Sequence, residues 1–335
     1  MVPEHPREGV RLNIFPRLTF FLTGEPVCPV NRLFKKIYDM KFKTLLFMTA
    51  MTVVGCTGKP VSEAGEAPAA KKDINIQLYS VRDKILPDFS NLDSLLFQLA
   101  EMGYTGVEAA GYNDGKFYGR TPEEFKEAVE KAGMTALSSH TGRGLSAEEL
   151  ASGNFQEALK WWDRCIADHK AAGMSYIVTP WMDVPGSLKD LETYCRYYNE
   201  IGKRCRENGL LYGYHNHAHE FQKVEGETMY DYMLSHTDPE NVFFQMDVYW
   251  VVRGQNSPVD YFNKYPGRFK ILHIKDEREI GQSGMVGFDA IFRNVQKAGT
   301  QDIVAEIERY SGEVLQSVRQ SFDYLNQAEF VPYNF

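Results

Sequence analysis

Leu211-Tyr-Gly-Tyr-His215-Asn-His217 is a short hydrophobic run that ends in side chains able to bind a metal ion. Three later runs have the same form: Val242-Phe-Phe-Gln-Met-Asp247, Phe269-Lys-Ile-Leu-His273 and Asp302-Ile-Val-Ala-Glu306. Starting from His215, the metal-binding residues follow one another at steps of 32, 26 and 33 positions. A β-strand and its returning helix take about 30 residues, so this spacing predicts equivalent points on successive βα units of a closed parallel barrel. All strands of such a barrel end at one mouth, where two histidines and two carboxylates would form a divalent-metal site of an enzyme.

The preceding part of the chain shows the same alternation of strands and helices. Eight strands are predicted, and they end near Ser80, Ala110, His140, Thr179, His215, Asp247, His273 and Glu306. They lie within residues 73–335, a span of 263 residues that is close to the usual barrel size of about 250. The sequence therefore predicts an α/β fold, a (β/α)8 TIM barrel in a single domain. No Gly-x-Gly-x-x-Gly pattern follows the first strand, which disfavours an open dinucleotide-binding sheet.

The composition is that of an ordinary globular protein, with 43% hydrophobic and 24% charged residues, which is enough to build a large core. The formal net charge is −8, and the sequence shows no stripe of basic residues. Binding to nucleic acid is disfavoured, because contacts with phosphates need clustered lysine and arginine.

The early part of the chain is predicted to carry a targeting signal. Lys41 and Lys43 precede an apolar run at 44–54, and a basic start followed by about ten apolar residues is typical of a secretory signal too short to remain in a bilayer. The end of this run, Val53-Val-Gly-Cys56, resembles the bacterial lipoprotein signal. The resemblance implies that residues 40–56 are a signal peptide and that Cys56 is the lipidated residue.

The segments on either side of this signal are predicted not to pack as domains. Residues 1–39 contain five prolines and no sustained period, so they are expected to be a mis-assigned or disordered extension, with translation starting at Met40. Residues 57–72 are rich in Ala, Glu, Gly, Pro and Lys, which predicts a flexible tether. The barrel is therefore expected on the periplasmic side of a bacterial membrane, held there by a lipid anchor.

Several motifs of the barrel resemble a known family. They are Gln77-Leu-Tyr-Ser-Val-Arg82, Tyr214-His-Asn-His217, Met246-Asp-Val-Tyr-Trp250, His273-Ile-Lys-Asp276 and Glu306. In this order they resemble the xylose isomerase-like TIM barrel superfamily, and more narrowly its sugar phosphate isomerase/epimerase group. The resemblance implies one divalent metal ion at the barrel mouth. The implied ligands are His215 (where many relatives have glutamate), Asp247, His273 and Glu306.

The chemistry of this ligand set agrees with the implied site. Mixed imidazole and carboxylate ligands suit Mn²⁺, Co²⁺ or Zn²⁺ better than Ca²⁺, which prefers oxygen alone. Mn²⁺ is preferred here, with Mg²⁺, Co²⁺ and Zn²⁺ as alternatives. A sugar could chelate such an ion through a carbonyl and a neighbouring hydroxyl, and the ion would stabilise the enediolate formed on loss of the proton between them.

Further polar residues are predicted to face the same mouth. His217 lies two positions after His215, so both point into the barrel if the strand is regular; His217 is then a substrate contact, a catalytic group or the ligand in place of His215. Glu108 and His140 end the second and third strands. In related barrels such positions contact sugar hydroxyls or act as acid and base, and the alternative is a hydrogen-bonded structural role.

Lys275, Trp181, Trp250 and Arg253 complete the candidate site. Beside a cation the pKa of Lys275 would fall and make it a base, or Lys275 would hold an oxyanion as an ammonium group. Trp181 and Trp250 offer aromatic planes for stacking on a sugar, or else seal the barrel top. Arg253 either anchors the substrate or pairs with a surface acid.

His215 stands where the two-base ketose 3-epimerases have their second glutamate, which leaves Glu306 as one base. The expected function is a metal-dependent isomerase or epimerase acting through an enediolate on an unphosphorylated sugar or cyclitol. The first alternative is a lyase or hydro-lyase acting on 3-keto-glycosides or inososes. The second is a sugar-binding lipoprotein without catalysis. The expected partners are a small sugar or cyclitol and a membrane, but not nucleic acid; the sequence predicts no oligomeric state.

Overall fold

Eight parallel strands close into a barrel in the computed structural model, which describes residues 72–85 and 88–335. The strands are β1 (Asn75–Gln77), β2 (Gly106–Ala109), β3 (Thr135–His140), β4 (Tyr176–Thr179), β5 (Leu211–His215), β6 (Val242–Asp247), β7 (Ile271–Lys275) and β8 (Asp302–Glu306). Each strand pairs with its neighbours in the chain, and β8 closes the barrel on β1. The predicted (β/α)8 fold is confirmed.

Helices surround the barrel. They are α1 (Arg82–Ile85), α2 (Leu92–Met102), α3 (Pro122–Lys131), α4 (Ala147–Ser152), α5 (Gln156–Ala171), α6 (Leu188–Glu207), α7 (Met229–His236), α8 (Val248–Arg253), α9 (Pro258–Lys264), α10 (Phe288–Phe292), α11 (Val295–Ala298) and α12 (Val314–Gln327). Two short antiparallel hairpins, at 112–117 and 223–228, lie in loops after β2 and β5. Within the described part of the chain, no helix is long and apolar enough to cross a membrane.

The strands β6 and β7 are buried at every position, as expected for parallel strands covered on both faces. Their alternating side chains divide between two cores. Phe244 and Met246 pack in the large core between strands and helices, whereas a small core fills the lower part of the barrel. The residues of this small core, here called the barrel floor, are Tyr176, Val178, Phe243, Ile271 and Val304. Polar side chains occupy the next inward positions, towards the mouth.

Gly213 makes room for the floor beneath the candidate site. A Cβ atom at this position would lie 2.5 Å from the ring of Phe243, well inside van der Waals contact. The absent side chain lets that ring fill the interior two residues before His215. Gly213 therefore helps to place β5 against β6 at the level where the polar residues begin.

Some predicted boundaries differ from the structure. The first strand ends at Gln77 rather than Ser80, because the Gln77 side chain accepts a hydrogen bond from the Tyr79 backbone and the chain turns into a 3₁₀ helix at Leu78–Val81. Lys72, predicted as the last tether residue, is buried, and its ammonium group donates to the carbonyls of Leu325 and Ala328. The predictions for residues 1–71 lie outside the described residues.

Candidate metal centre

Four side chains converge where strands β5 to β8 reach the mouth. In the register of the sheet, Asp247 lies beside His273, and Glu306 lies beside Lys275. One ligand atom from each of His215, Asp247, His273 and Glu306 lies within 4.8 Å of the others. These four residues, here called the ligand group, are between 0 and 4% exposed. The structure thus brings together the four residues that the resemblance implied as ligands.

Asp247 indicates that this group fits a cation. Its Oδ1 accepts a hydrogen bond from the backbone of Trp250 at 3.0 Å, which caps helix α8. Its Oδ2 is buried and has no hydrogen-bond partner among the described residues, and burial raises the pKa of this carboxyl to about 7. An unpartnered buried carboxylate oxygen is costly, and a divalent ion held by two imidazoles and two carboxylates would satisfy it.

Glu108 lies beneath the four residues and is completely buried. Its two oxygens face five donors: Gln77 Nε2 (2.8 Å), Ser138 Oγ (2.6 Å), Gln245 Nε2 (2.8 Å), His140 Nε2 (3.0 Å) and His273 Nε2 (2.6 Å). Burial alone would raise the pKa of Glu108, but His140 and His273 outweigh burial and hold this pKa well below its ordinary value. Glu108 is therefore an ionised anchor for the site, and its hydrogen-bonding capacity is already used.

His273 connects this anchor to the ligand group. Its Nε2 lies 2.6 Å from Glu108 and its Nδ1 lies 3.4 Å from Glu306 Oε2. Burial lowers the pKa of His273, but the neighbouring Glu108 carboxylate outweighs burial and raises it to about 10. A carboxylate behind a histidine is the usual arrangement around a metal-bound imidazole, where it orients the ring and raises its basicity.

Lys275 lies between two carboxylates. Its ammonium group is 3.1 Å from Glu306 and 2.8 Å from Glu308, and 5.1 Å from the centroid of the Trp250 ring. Although burial lowers the pKa of Lys275, these acids and Asp247 raise it above the ordinary value. The same contact, helped by His273, outweighs burial at Glu306 and holds the pKa of Glu306 well below its usual range. These carboxylates therefore keep Lys275 charged, which suits the second of its two expected roles, an ammonium group that holds an oxyanion.

His217 lies outside the four-residue group but faces the same opening. Its Nδ1 is buried without a hydrogen-bond partner in the described part of the chain, and burial lowers its pKa to about 3, so the ring is neutral. The ring lies 4.9 Å from Trp181 and 5.6 Å from Trp250 between centroids. Of the two histidines proposed as alternative ligands, His215 is the one that the structure groups with Asp247 and His273.

His217, His219 and Glu220 also lie close together, but hydrogen bonds account for this cluster. The carboxylate of Glu220 accepts from the His217 backbone and from the Tyr214 hydroxyl, each at 2.8 Å. His219 Nε2 lies 2.9 Å from the carbonyl oxygen of Met182. These bonds fix the loop that carries His217.

The sequence signature of the xylose isomerase-like TIM barrel family matches residues 96–328 of the chain. The chain belongs to that family. The crystal structure of a sugar phosphate isomerase/epimerase from Parabacteroides distasonis is 33% identical, covers 78% of this chain and 100% of its own, and has a TM-score of 0.72. The zinc-bound IolI protein is 13% identical over 78% of this chain and 99% of its own, with a TM-score of 0.58, which shows the fold alone.

Curated relatives of this xylose isomerase-like chain include an inosose dehydratase from Lacticaseibacillus casei. The two are 26% identical over an alignment of 133 positions that covers 32% of this chain and 44% of the dehydratase. The chain thus spans less than half the length of that relative.

The remaining predicted residues of this xylose isomerase-like barrel differ in placement. The His140 ring stacks on His273 with centroids 5.0 Å apart, and His140 Nε2 lies 2.6 Å from Gln245 Oε1. Trp181 is 54% exposed at the rim. Arg253 is not brought to the ligand group, because its guanidinium lies 3.5 Å from Glu277, the surface pairing considered as its alternative.

The sequence reasoning missed Gln77, Ser138, Gln245 and Glu308, which hold Glu108, His140, His215 and Lys275 in place. Gln245 had a visible signal, since a polar amide inside the buried run Val242-Phe-Phe-Gln-Met-Asp247 requires buried partners. The signal for Glu308 was weaker: it lies two residues beyond Glu306, past the end of β8. Gln77 was quoted as the first residue of a motif but was given no role in the site, and nothing local marked Ser138.

Proposed function

We propose that the protein is a divalent-metal-dependent sugar isomerase or epimerase that enolises an unphosphorylated sugar or cyclitol. The observation that carries this proposal is the buried group of His215, Asp247, His273 and Glu306, in which one carboxylate oxygen of Asp247 lacks a partner among the described residues. These four residues would hold the ion. When bound, the ion supplies Lewis-acid polarisation of the sugar carbonyl.

The protein's own side chains supply the remaining steps. Glu306, kept ionised by Lys275, takes the proton from the hydroxyl-bearing carbon next to the carbonyl. In isomerisation Glu306 returns this proton to the former carbonyl carbon, while the hydroxyl proton passes to the former carbonyl oxygen. Lys275 stays an ammonium group and stabilises the negative charge that develops on the sugar oxygen. His217 offers its unpartnered Nδ1 to a substrate hydroxyl, and Trp181 and Trp250 flank the opening as surfaces for the sugar ring.

Glu108 acts from below in this proposal. It is fully buried and lies 2.6 Å from His273 Nε2, so it orients the imidazole rather than exchanging protons with the substrate. His140, which contacts both Glu108 and Gln245, closes the lower wall of the site. The family and the neighbouring sugar phosphate isomerase/epimerase support the reaction class, and the zinc in IolI supports a transition metal at such a site.

A lyase or hydro-lyase acting on an inosose or a 3-keto-glycoside is the second candidate. It is favoured by His215, which stands where a second carboxylate base would be needed for two-sided epimerisation. It is also favoured by the inosose dehydratases among the relatives. After the same proton abstraction by Glu306, the substituent on the adjacent carbon would leave with its electron pair and take up the proton held by Glu306, departing as water or as an aglycone. The protein is also proposed to lie on the periplasmic side of the membrane, where a lipid attached to Cys56 would anchor it.

The first test measures bound metal in the purified full chain, in wild type and in Asp247→Ala and His273→Ala variants. Asp289→Ala, which removes an exposed carboxylate on α10 that pairs with Arg293, is the matched control. We expect about one equivalent of metal in wild type and in the control, and none in the two site variants. Wild-type protein that stays metal-free after incubation with Mn²⁺, Co²⁺ and Zn²⁺ would refute the metal centre and leave a non-catalytic sugar-binding protein.

The second test follows the chemistry in deuterated water with ketoses, inososes and 3-keto-glycosides. Both candidates predict deuterium uptake at the carbon next to the carbonyl in wild type and its loss in Glu306→Gln. An isomerase or epimerase returns a sugar of the same composition. Release of water or of an aglycone identifies the lyase, and unchanged substrates that nevertheless bind would refute catalysis.

A further inference from the structure

Gln245 lies directly beneath the candidate metal centre, fully buried on β6 two residues before Asp247. We infer that Gln245 is a positioning residue. Glu108 orients its amide group, and the amide oxygen in turn fixes which ring nitrogen of His215 carries the hydrogen and which one faces the ligand group. This inference deepens the proposed metal centre, and it rests on the hydrogen bonds of one side chain.

The orientation of the Gln245 amide is set by Glu108. One end of the amide lies 2.8 Å from Glu108 Oε2. An ionised carboxylate only accepts hydrogen bonds, so the amide nitrogen must point to Glu108. The amide oxygen then points to the opposite side, where two imidazole rings lie.

That oxygen determines the proton positions on both rings. Gln245 Oε1 lies 2.6 Å from His140 Nε2 and 3.0 Å from His215 Nδ1. An amide oxygen donates nothing, so each of these nitrogens must carry the hydrogen. A neutral His215 that is protonated on Nδ1 has a free lone pair on Nε2, and Nε2 is the atom that lies 4.0 Å from Asp247 Oδ2. The ring is thereby held in the tautomer that can bind a metal.

Glu108 orients the second histidine ligand without a relay. His273 donates from Nε2 to Glu108 and keeps Nδ1 towards Glu306. One buried carboxylate therefore fixes both imidazoles, one directly and one through Gln245. A carboxylate at position 215 would have no tautomer to select, so the relay through Gln245 matters only beside a histidine.

A double-mutant cycle tests the relay in the full chain. Gln245→Leu removes the amide at similar volume, and it is made in wild type and in a His215→Glu background. In wild type we expect Mn²⁺ and Zn²⁺ affinity to fall by about 10–100-fold, the usual cost of losing a group that orients a ligand. In the His215→Glu background the fall should be at least several times smaller. An equal loss in both backgrounds would overturn the relay and make Gln245 a packing residue.

The tautomer itself is measured on metal-free protein by nitrogen-15 NMR of labelled histidines, with the His215 signal assigned from its Ala variant. The relay requires His215 to be protonated on Nδ1 in wild type and mixed in Gln245→Leu. Ser139→Ala, which removes a buried hydroxyl on β3 that has no partner among the described residues, should leave the signal unchanged. A His215 protonated on Nε2 in wild type would overturn the inference, even if Gln245→Leu does not fold. Because this readout needs neither metal nor substrate, it is independent of whether the enzymatic proposal succeeds.

Discussion

The barrel interior contains two layers that differ in chemistry although the same strands build them. The lower layer is the barrel floor, which is entirely hydrophobic apart from the Tyr176 hydroxyl. The upper layer, here called the polar layer, consists of Glu108, His140, His215, Gln245 and His273, joined by hydrogen bonds. A single strand crosses from one to the other in two residues, from Phe243 to Gln245 on β6 and from Ile271 to His273 on β7.

The difference indicates that the two layers have different roles: the floor stabilises the fold, and the polar layer orients the ligand group. Close-packed hydrophobic side chains contribute to stability in proportion to the volume they fill. An intact buried polar network contributes little net stability, because its desolvation offsets its hydrogen bonds, but the loss of one member leaves its partners unsatisfied. We therefore expect changes in the floor to lower the free energy of unfolding and changes in the polar layer to alter metal binding.

The largest effect on stability is expected from Phe243→Ala in the floor. Removal of a buried phenylalanine costs about 3–5 kcal/mol, and Gly213 beside the ring offers no side chain to refill the space. Denaturant unfolding measures the loss, and the metal affinity of the folded protein should stay at the wild-type value. A Phe243→Ala protein of normal stability with weakened metal binding would break the proposed division.

His169 belongs to neither layer, so its titration shows how burial alone, without the polar layer, makes stability depend on pH. His169 on α5 is fully buried beside Tyr112 and Phe117, and burial lowers its pKa from 6.5 to about 4. Between these pH values the unfolded chain binds a proton that the folded chain does not. The contribution of His169 to the free energy of unfolding is therefore fully present above pH 6.5 and is lost as the pH falls towards 4. The two pKa values correspond to at most about 3 kcal/mol.

Unfolding curves from pH 4 to 7 measure this contribution against His169→Phe, which suits the aromatic neighbours. The variant should lose less stability than wild type over that range. Parallel curves for the two proteins would show that His169 does not contribute.

Asp247→Asn in the ligand group is expected to behave in the opposite way to Phe243→Ala: it should raise stability and weaken metal binding. The metal-free variant should be more stable than metal-free wild type by about 1–3 kcal/mol, because it no longer buries an unsatisfied charged oxygen. It should also bind metal much more weakly. Asp302→Asn is the control, since the Asp302 carboxylate already accepts a hydrogen bond from Tyr176 at 2.7 Å and no gain is expected there. A destabilised, metal-free Asp247→Asn protein would contradict the assignment of Asp247 as a ligand held at a cost.

The smallest effect is expected for Ile271→Val, two residues below His273. Loss of one buried methylene costs about 0.5–1.5 kcal/mol, and metal affinity should not change. Thermal unfolding detects the first quantity and competition with a chelating dye the second. A change in metal affinity would show that the floor and the polar layer are mechanically coupled.

The sequence predicted the barrel and the members of the ligand group because both follow from spacing along the chain. Each βα unit returns the chain to the same height, so His215, Asp247, His273 and Glu306 could be recognised from their intervals alone. Whether these residues bind a metal stays a prediction.

The polar layer could not be predicted in the same way. Glu108 and Gln245 are 137 positions apart, and no local pattern connects them. The strands are buried on both faces, so alternation does not reveal whether Phe243 or Phe244 points inward. The state of Lys275 depends on Glu306 and Glu308, which only the closure of β7 against β8 brings close.

The burial of the ligand group has a kinetic consequence. Because all four side chains are at most 4% exposed, an ion held there would exchange only through the opening that Trp181 and Trp250 flank, which is also the entrance for the sugar. A chelator would then remove the ion more slowly when a sugar fills this opening. A substrate would in this way retain the ion on which its own turnover depends, so metal loss should be fastest when the protein has no substrate.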